Sequence, residues 1–174
     1  SGAIATSFFD WCNTSGLGFD FFATIGNKSV LNENHFLEYL SKTNTYQEPG
    51  LSALKPIGLY LESISSGSQL LKISKQISLT QPIFILKPGK STAAANAMQS
   101  HTGSLAGSDE VFATALKESG VIRAQTMQDF FNLSKALSWE NVPKTNKIAI
   151  ISNAGGPGVI SADAVSESGL ELAE

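Results

Sequence analysis

A parallel α/β sheet with helices on both faces is the fold class this sequence predicts, and three observations predict it. Short apolar runs without internal charge, Ile57 to Leu61 and Ile83 to Leu86, have the length of fully buried strands. Stretches with apolar residues at helical spacing, such as Leu70, Leu71, Ile73 and Ile77, follow them. This β-then-α order recurs along the chain, and parallel strands need such crossover connections.

The elements read in order as follows. Ile4, Phe8, Phe9 and Cys12 recur at helical spacing, which predicts a helix from Ala3 to about Thr14, opened by Ser1 and Gly2. Gly16 and Gly18 break it, and the apolar stretch Phe19 to Ile25 reads as a strand. Asn27 to Asn34 is a polar loop, and Phe36, Leu37 and Leu40 give His35 to Leu40 a helical face. A loose segment, Thr43 to Pro56, precedes the strand that begins at Ile57 and ends at Glu62. After the Leu70 to Ile77 helix and the Ile83 to Leu86 strand, Pro88 to Ser104 is rich in small residues, and Ser108-Asp-Glu-Val has the form of a capped helix start. Gly120 stops that helix, a short strand spans Val121 to Arg123, and a helix runs from about Met127 to Trp139. Residues 141–146, with Pro143, read as a linker between a first domain, 1–140, and a second that starts at 147. There a strand, Lys147 to Ile151, runs through Ser152-Asn-Ala-Gly-Gly-Pro-Gly158 into a helix from about Val159 to Ser168, ended by Gly169.

Composition narrows the function classes. The 42% hydrophobic content, 16% charged content and 15 glycines describe a globular chain. A net charge of -3 with 12 thinly spread basic residues offers no footprint for nucleic acid. No apolar run approaches the roughly 20 residues that cross a bilayer, so no membrane partner is expected. One cysteine, Cys12, excludes an internal disulfide, and with two histidines in the chain no zinc spacing exists. No metal site is expected, and a cytoplasmic setting is the default. Cys12 falls on an apolar helix face and reads as core, while His35 reads as a surface helix residue. The opening, without Met and without a preceding strand, reads as that of a piece of a longer protein.

Three places break the packing logic, each where a strand ends or a helix begins, the edge at which α/β sheets bind ligands. The first is Ser100-His101-Thr-Gly-Ser-Leu-Ala-Gly107, a small-residue loop around one histidine. A neutral imidazole is a competent nucleophile near neutral pH, and little bulk around it would obstruct a transferred phosphoryl group. A surface loop histidine fits the same string equally well. The second is Glu62, a carboxylate closing an uncharged strand. It could fix the tautomer of His101 and support positive charge on a phosphorylated ring, or be a solvated strand end. The third is the pair of helix openings, Ser1-Gly2 and Gly155-Gly156, whose free amides could cradle phosphate or simply make tight turns. Neither is a dinucleotide-binding fingerprint or a P-loop.

The strings Ser1-Gly-Ala, Gly26-Asn-Lys28, Leu59-Tyr-Leu-Glu62, Ser100-His-Thr-Gly-Ser-Leu-Ala-Gly-Ser108 and Ser152-Asn-Ala-Gly-Gly-Pro-Gly-Val159 occur in this order across nearly the whole chain. Together they resemble nucleotide-diphosphate-forming acyl-CoA synthetases of the succinyl-CoA synthetase superfamily, the ADP-forming acetate-CoA ligase type. The resemblance implies a flavodoxin-like CoA-ligase domain missing its first strand, followed by the start of a second such domain at residues 147–174. It also implies an acid-thiol ligase passing through an acyl phosphate and a phosphohistidine. His101 matches the phosphorylated histidine and Glu62 its supporting acid, while Ser1, Gly2, Gly155 and Gly156 match helix starts that hold phosphate. CoA, ADP or ATP, and Mg2+ are implied for the full enzyme and none bound within this piece. CoA-binding and ATP-grasp domains, fused or on another subunit, are implied partners, with acyl-CoA and phosphate as small-molecule partners and an oligomer as the assembly. The piece alone is expected to be inactive. The segment Thr43 to Pro56 departs from the family pattern. Two other classes fit the fold: a ligand-sensing domain of a protein lysine acetyltransferase, and a flavin-binding flavodoxin-like protein.

Overall fold

The computed structural model describes residues 2–43, 55–91, 93–94, 97, 108–138, 143 and 145–173. They fall into two compact units, Ser1–Glu140 and Asn141–Glu174. The first unit opens with helix α1 (Gly2–Ser15) and α2 (Glu33–Thr43), followed by β1 (Ile57–Tyr60) and α3 (Gly67–Ile77). It continues with β2 (Ile83–Leu86), α4 (Asp109–Glu118), β3 (Ile122–Ala124) and α5 (Met127–Leu137). The three strands form one parallel sheet in the order β1-β2-β3. Ile57 pairs with Ile83 and Tyr60 with Leu86, and Leu86 pairs in turn with Ala124.

Strand pleating sorts the core into two layers. Ile57, Leu61, Ile83, Ile85 and Val121 face Leu37 of α2, Leu70, Ile73 and Ile77 of α3 and Leu116 of α4. On the opposite face Phe84, Leu86 and Ala124 meet Phe130 of α5, with Phe8 of α1 and Tyr60 packed alongside. Every residue of β2 is buried, which is why its sequence is an uninterrupted apolar run. This is the α/β parallel arrangement with helices on both faces that the sequence predicts.

Helix ends follow local chemistry. Ser66 and Ser108 cap α3 and α4 by accepting from Gln69 N–H and Val111 N–H. Thr126 and Asp129 form a reciprocal capping box on α5. Gly120 ends α4 with φ 70°, a left-handed conformation in which a Cβ would also stand 3.0 Å from the Ser78 hydroxyl.

Three expectations need correction. The Phe19 to Ile25 stretch forms no strand: Phe19, Phe21 and Phe22 keep 42%, 49% and 38% of their surface, and Phe19 and Phe22 pack on Phe9 of α1 at centroid distances of 5.3 and 4.4 Å. Its aromatics satisfy themselves against a helix rather than by pairing in a ladder. Helix α2 begins at Glu33, so Glu33 and Asn34 belong to a helix start and are buried, not loop. The first eleven residues between α2 and β1, 44–54, lie outside the described residues.

The second unit holds β4 (Lys147–Ile148), α6 (Gly155–Glu167) and β5 (Glu171–Leu172), with β4 parallel to β5. The third correction falls here. The strand is two residues long rather than five, and the helix starts at Gly155, four residues before Val159, so the glycines form its first turn.

Candidate functional site at the carboxyl edge of the sheet

Glu62 stands just past the carboxyl end of β1, half-buried. The Tyr60 phenol donates a long hydrogen bond of 3.4 Å to its Oε1. Burial, then the charge of Glu62 and this bond, push the Tyr60 phenol up to about 12. Tyr60 is therefore a neutral donor to the carboxylate throughout the physiological range.

The turn that carries Glu62 is gripped by a buried ion pair, which sequence reasoning missed. Glu33, 1% exposed, accepts from Ser65 N–H at 2.6 Å and from the Ser65 hydroxyl at 3.2 Å. Its other partner is Lys28, whose Nζ lies 2.8 Å from Oε2 and also donates to the Ser63 carbonyl. Asn34 adds a bond of 3.3 Å from Nδ2 to the Ser66 carbonyl. Burial by itself raises the Glu33 carboxyl, but the Lys28 and Ser65 bonds together with the Lys28 charge outweigh it and hold the group below its ordinary value. Lys28 takes φ 59°, the left-handed region that only a tight turn imposes on a side-chain-bearing residue. The sole hint in the sequence was an acid at the first turn of a helix, five positions after a lysine in a Gly-Asn-Lys turn.

The carboxyl ends of β2 and β3 carry a second charged group. Arg123 of β3 makes a fork on Asp109, the first residue of α4, with Nη1 to Oδ2 at 3.1 Å and Nη2 to Oδ1 at 2.5 Å. That bond holds the Asp109 carboxyl below its usual value. Lys87, directly after β2, is 8% exposed, with Nζ 5.7 Å from the centre of the Phe112 ring. Burial lowers its pKa, against the pull of Asp109 and with the push of Arg123. Lys90 donates to the carbonyl and side chain of Gln125 at 2.8 and 2.6 Å.

The other expected site residues distribute unevenly. His101 and Ser1 lie outside the described residues. In the chain His101 falls between β2 and α4, whose ends hold Lys87 and Asp109. Gly2 is the first residue of α1. In the second unit Gly155 and Gly156 open α6 behind Ala154, which has no capping side chain. A Cβ at either glycine would meet nothing within 4 Å, so packing of this unit does not demand glycine there. Their amides stand at the positive end of a helix dipole. Cys12 is buried and its thiol is raised by burial, as a core residue's would be. His35 is exposed, with Nδ1 accepting from Asn32 N–H at 3.2 Å. Among the described residues no three His, Cys, Asp or Glu side chains could together hold a metal ion. Nor is any described helix long and apolar enough to cross a membrane.

Comparison with known proteins agrees with this architecture. Residues 1–137 match the family described as succinyl-CoA ligase like flavodoxin domain. An ADP-forming acetate–CoA ligase I of Archaeoglobus fulgidus is 37% identical over 99% of this chain, which spans 24% of that protein. The alpha subunit of an ADP-forming acetate–CoA ligase II of Pyrococcus furiosus is 38% identical over 99% of this chain, which spans 36% of it. Among solved structures, the dinucleotide-forming acetyl-coenzyme A synthetase 1 of Ca. Korarchaeum cryptofilum, in complex with phosphate and ADP, superposes with a TM-score of 0.85 at 31% identity. The match covers all of this chain and 36% of that one. The chain thus spans about a quarter to a third of the length of these relatives.

Proposed function

Because the chain belongs to the succinyl-CoA ligase like flavodoxin domain family, we propose that it is the phosphohistidine-bearing part of an ADP-forming acyl-CoA synthetase. The whole enzyme interconverts acyl-CoA, ADP and phosphate with the free acid, CoA and ATP. Phosphate oxygen attacks the thioester carbonyl, CoA leaves as the thiol, and an acyl phosphate remains. The His101 imidazole then takes the phosphoryl group, the carboxylate leaves, and ADP finally accepts the phosphoryl group to give ATP. CoA, the nucleotide and Mg2+ belong to the complete enzyme, with CoA-binding and ATP-grasp domains fused or on a partner subunit, in an oligomer.

The observation that carries this reading is the framing of Glu62. A carboxylate at the carboxyl edge is held by Tyr60, and its turn is fixed by the Lys28–Glu33 pair. An acid so fixed can orient one imidazole nitrogen and leave the other to the phosphoryl group. The His101 segment departs from the end of the adjacent strand, which supports the pairing. The resemblance assigns Ser1, Gly2, Gly155 and Gly156 to phosphate binding, and Gly2 opens α1 while Gly155 and Gly156 open α6, each a helix start of the kind that suits an anion.

The domain reading follows the same line. Residues 1–140 form the first CoA-ligase domain, and 141–146 link it to a second domain begun by β4, α6 and β5. Neither the acetyltransferase-sensing reading nor a flavin site gains an observation here.

The test is phosphorylation of the intact protein by ATP and magnesium. Acid-labile, base-stable phosphate is expected on His101, absent in His101→Ala and reduced roughly a hundredfold in rate in Glu62→Gln. Equal labelling of His101→Ala would overturn the proposal.

A further inference from the structure

The Lys87 ammonium has no hydrogen bond and no ion pair among the described residues, although the residue is more than nine-tenths buried. Its nearest carboxylate neighbour, Asp109, is already engaged by both terminal nitrogens of Arg123. A ring face at 5.7 Å offsets burial of a cation less than an ion pair does. Arg123 shares the same ring, with Cζ 5.5 Å from its centre, and its Nε is buried without a partner. The Lys87 ammonium and the Arg123 Nε–H are therefore left without acceptors among the described residues, beside one aromatic ring, at the sheet edge where α/β folds take ligands. Lys90, which bonds Gln125, adds its charge to those acting on Asp109.

A cation held in a mostly buried side chain without a counter-ion is favoured by a ligand that supplies one. Burial already lowers the Lys87 pKa, and an arriving anion would reverse that shift. We propose that Lys87, backed by Arg123 and seated on Phe112, is an anion subsite that binds a phosphate-type dianion at the carboxyl ends of β2 and β3. Asp109 fixes Arg123 in place, so the subsite presents Lys87 as a point charge. Only the source of the dianion, free phosphate or the phosphoryl group of an acyl phosphate, rests on the reading given above.

The experiment uses the intact protein with inorganic phosphate as the probe, against chloride at equal ionic strength. Calorimetric titration and thermal melting are read for the parent, Lys87→Met and Lys87→Arg, with His101→Ala as a further background. Lys87→Met is expected to bind phosphate roughly tenfold or more weakly, and to melt no lower than the parent without phosphate, since it removes an uncompensated charge and keeps the side-chain volume. Lys87→Arg keeps the charge and retains binding. The same loss on Lys87→Met is expected in the His101→Ala background. Phosphate binding that is unchanged in Lys87→Met, or a lower melting point for Lys87→Met without phosphate, overturns the subsite and leaves the phosphohistidine proposal standing. Absence of histidine labelling in the parent, with phosphate binding still dependent on Lys87, overturns the phosphohistidine proposal and leaves the subsite.

Discussion

Truncating Glu33 should be among the most damaging single changes available near the site, although the residue touches no substrate. Glu33→Ala removes three contacts at once: the Lys28 ion pair at 2.8 Å, the Ser65 N–H at 2.6 Å and the Ser65 hydroxyl at 3.2 Å. It leaves the Lys28 side chain, 12% exposed, with the Ser63 carbonyl as its one partner among the described residues. Breaking a buried pair from one side costs about 3–5 kcal/mol, a large share of the roughly 5–15 kcal/mol that holds a domain folded. Urea denaturation at neutral pH measures it. Glu33→Gln keeps an acceptor for Ser65 and should cost less. In a double-mutant cycle of Glu33→Gln with Lys28→Met the coupling is expected at about 1–3 kcal/mol. The pH dependence has a definite sign. The folded Glu33 carboxyl lies below its ordinary value, so as pH falls the unfolded chain takes the proton first. Stabilisation is full above the unfolded value of about 4.3 and is lost as pH falls through the lower folded value. Glu33→Gln should flatten that acid limb. A Glu33→Ala loss below about 1 kcal/mol, or a coupling near zero, would refute the grip on the Glu62 turn.

Gly58→Ala tests the packing of β1. A Cβ there would stand 2.6 and 2.9 Å from ring atoms of Phe84 and 3.1 Å from Phe130. Overpacking of about 1–3 kcal/mol is expected in urea denaturation, and a neutral or stabilising result would show that the rings yield. For Tyr60, a phenol at about 12 should move down in Glu62→Gln, because a negative neighbour is removed, when followed by ultraviolet titration. An unmoved phenol would mean that Tyr60 does not hold Glu62.

How much of this was legible in the sequence depended on whether the cause was local. Strand β2 lies within the bounds its apolar run predicts, because burial on both faces leaves an uninterrupted signature. Ser108 and Gly120 likewise bracket α4, since capping and a left-handed stop need few neighbours. Phe19 to Ile25 was misread because an apolar run records that residues avoid water and not whether they do so in a ladder or on a helix. Glu33 was invisible for the opposite reason. Asn-Glu-Asn reads as a polar loop, and its burial depends on Ser63 to Ser66, about thirty residues away in the chain, and on the unusual backbone of Lys28.

Pleating explains why the carboxyl edge can hold an acid and an unpaired cation without mutual cancellation. Ile57, Leu59 and Leu61 belong to the core on the α3 side, as do Ile83 and Ile85, whereas Tyr60, Phe84 and Leu86 belong to the α5 side. The last backbone bond of the pair, Leu61 N–H to the Leu86 carbonyl at 3.0 Å, carries this alternation to the strand ends. Glu62 therefore continues the Tyr60 side and bonds Tyr60, while Lys87 continues the Ile85 side and meets Phe112 of α4. Had the register slipped by one residue, the two charges would have shared a side and paired, leaving neither an acid to orient an imidazole nor a cation for an anion. Neighbouring strands thus present Glu62 and Lys87 to different layers of the sheet. In the chain His101 lies between Lys87, which follows β2, and Asp109, which opens α4.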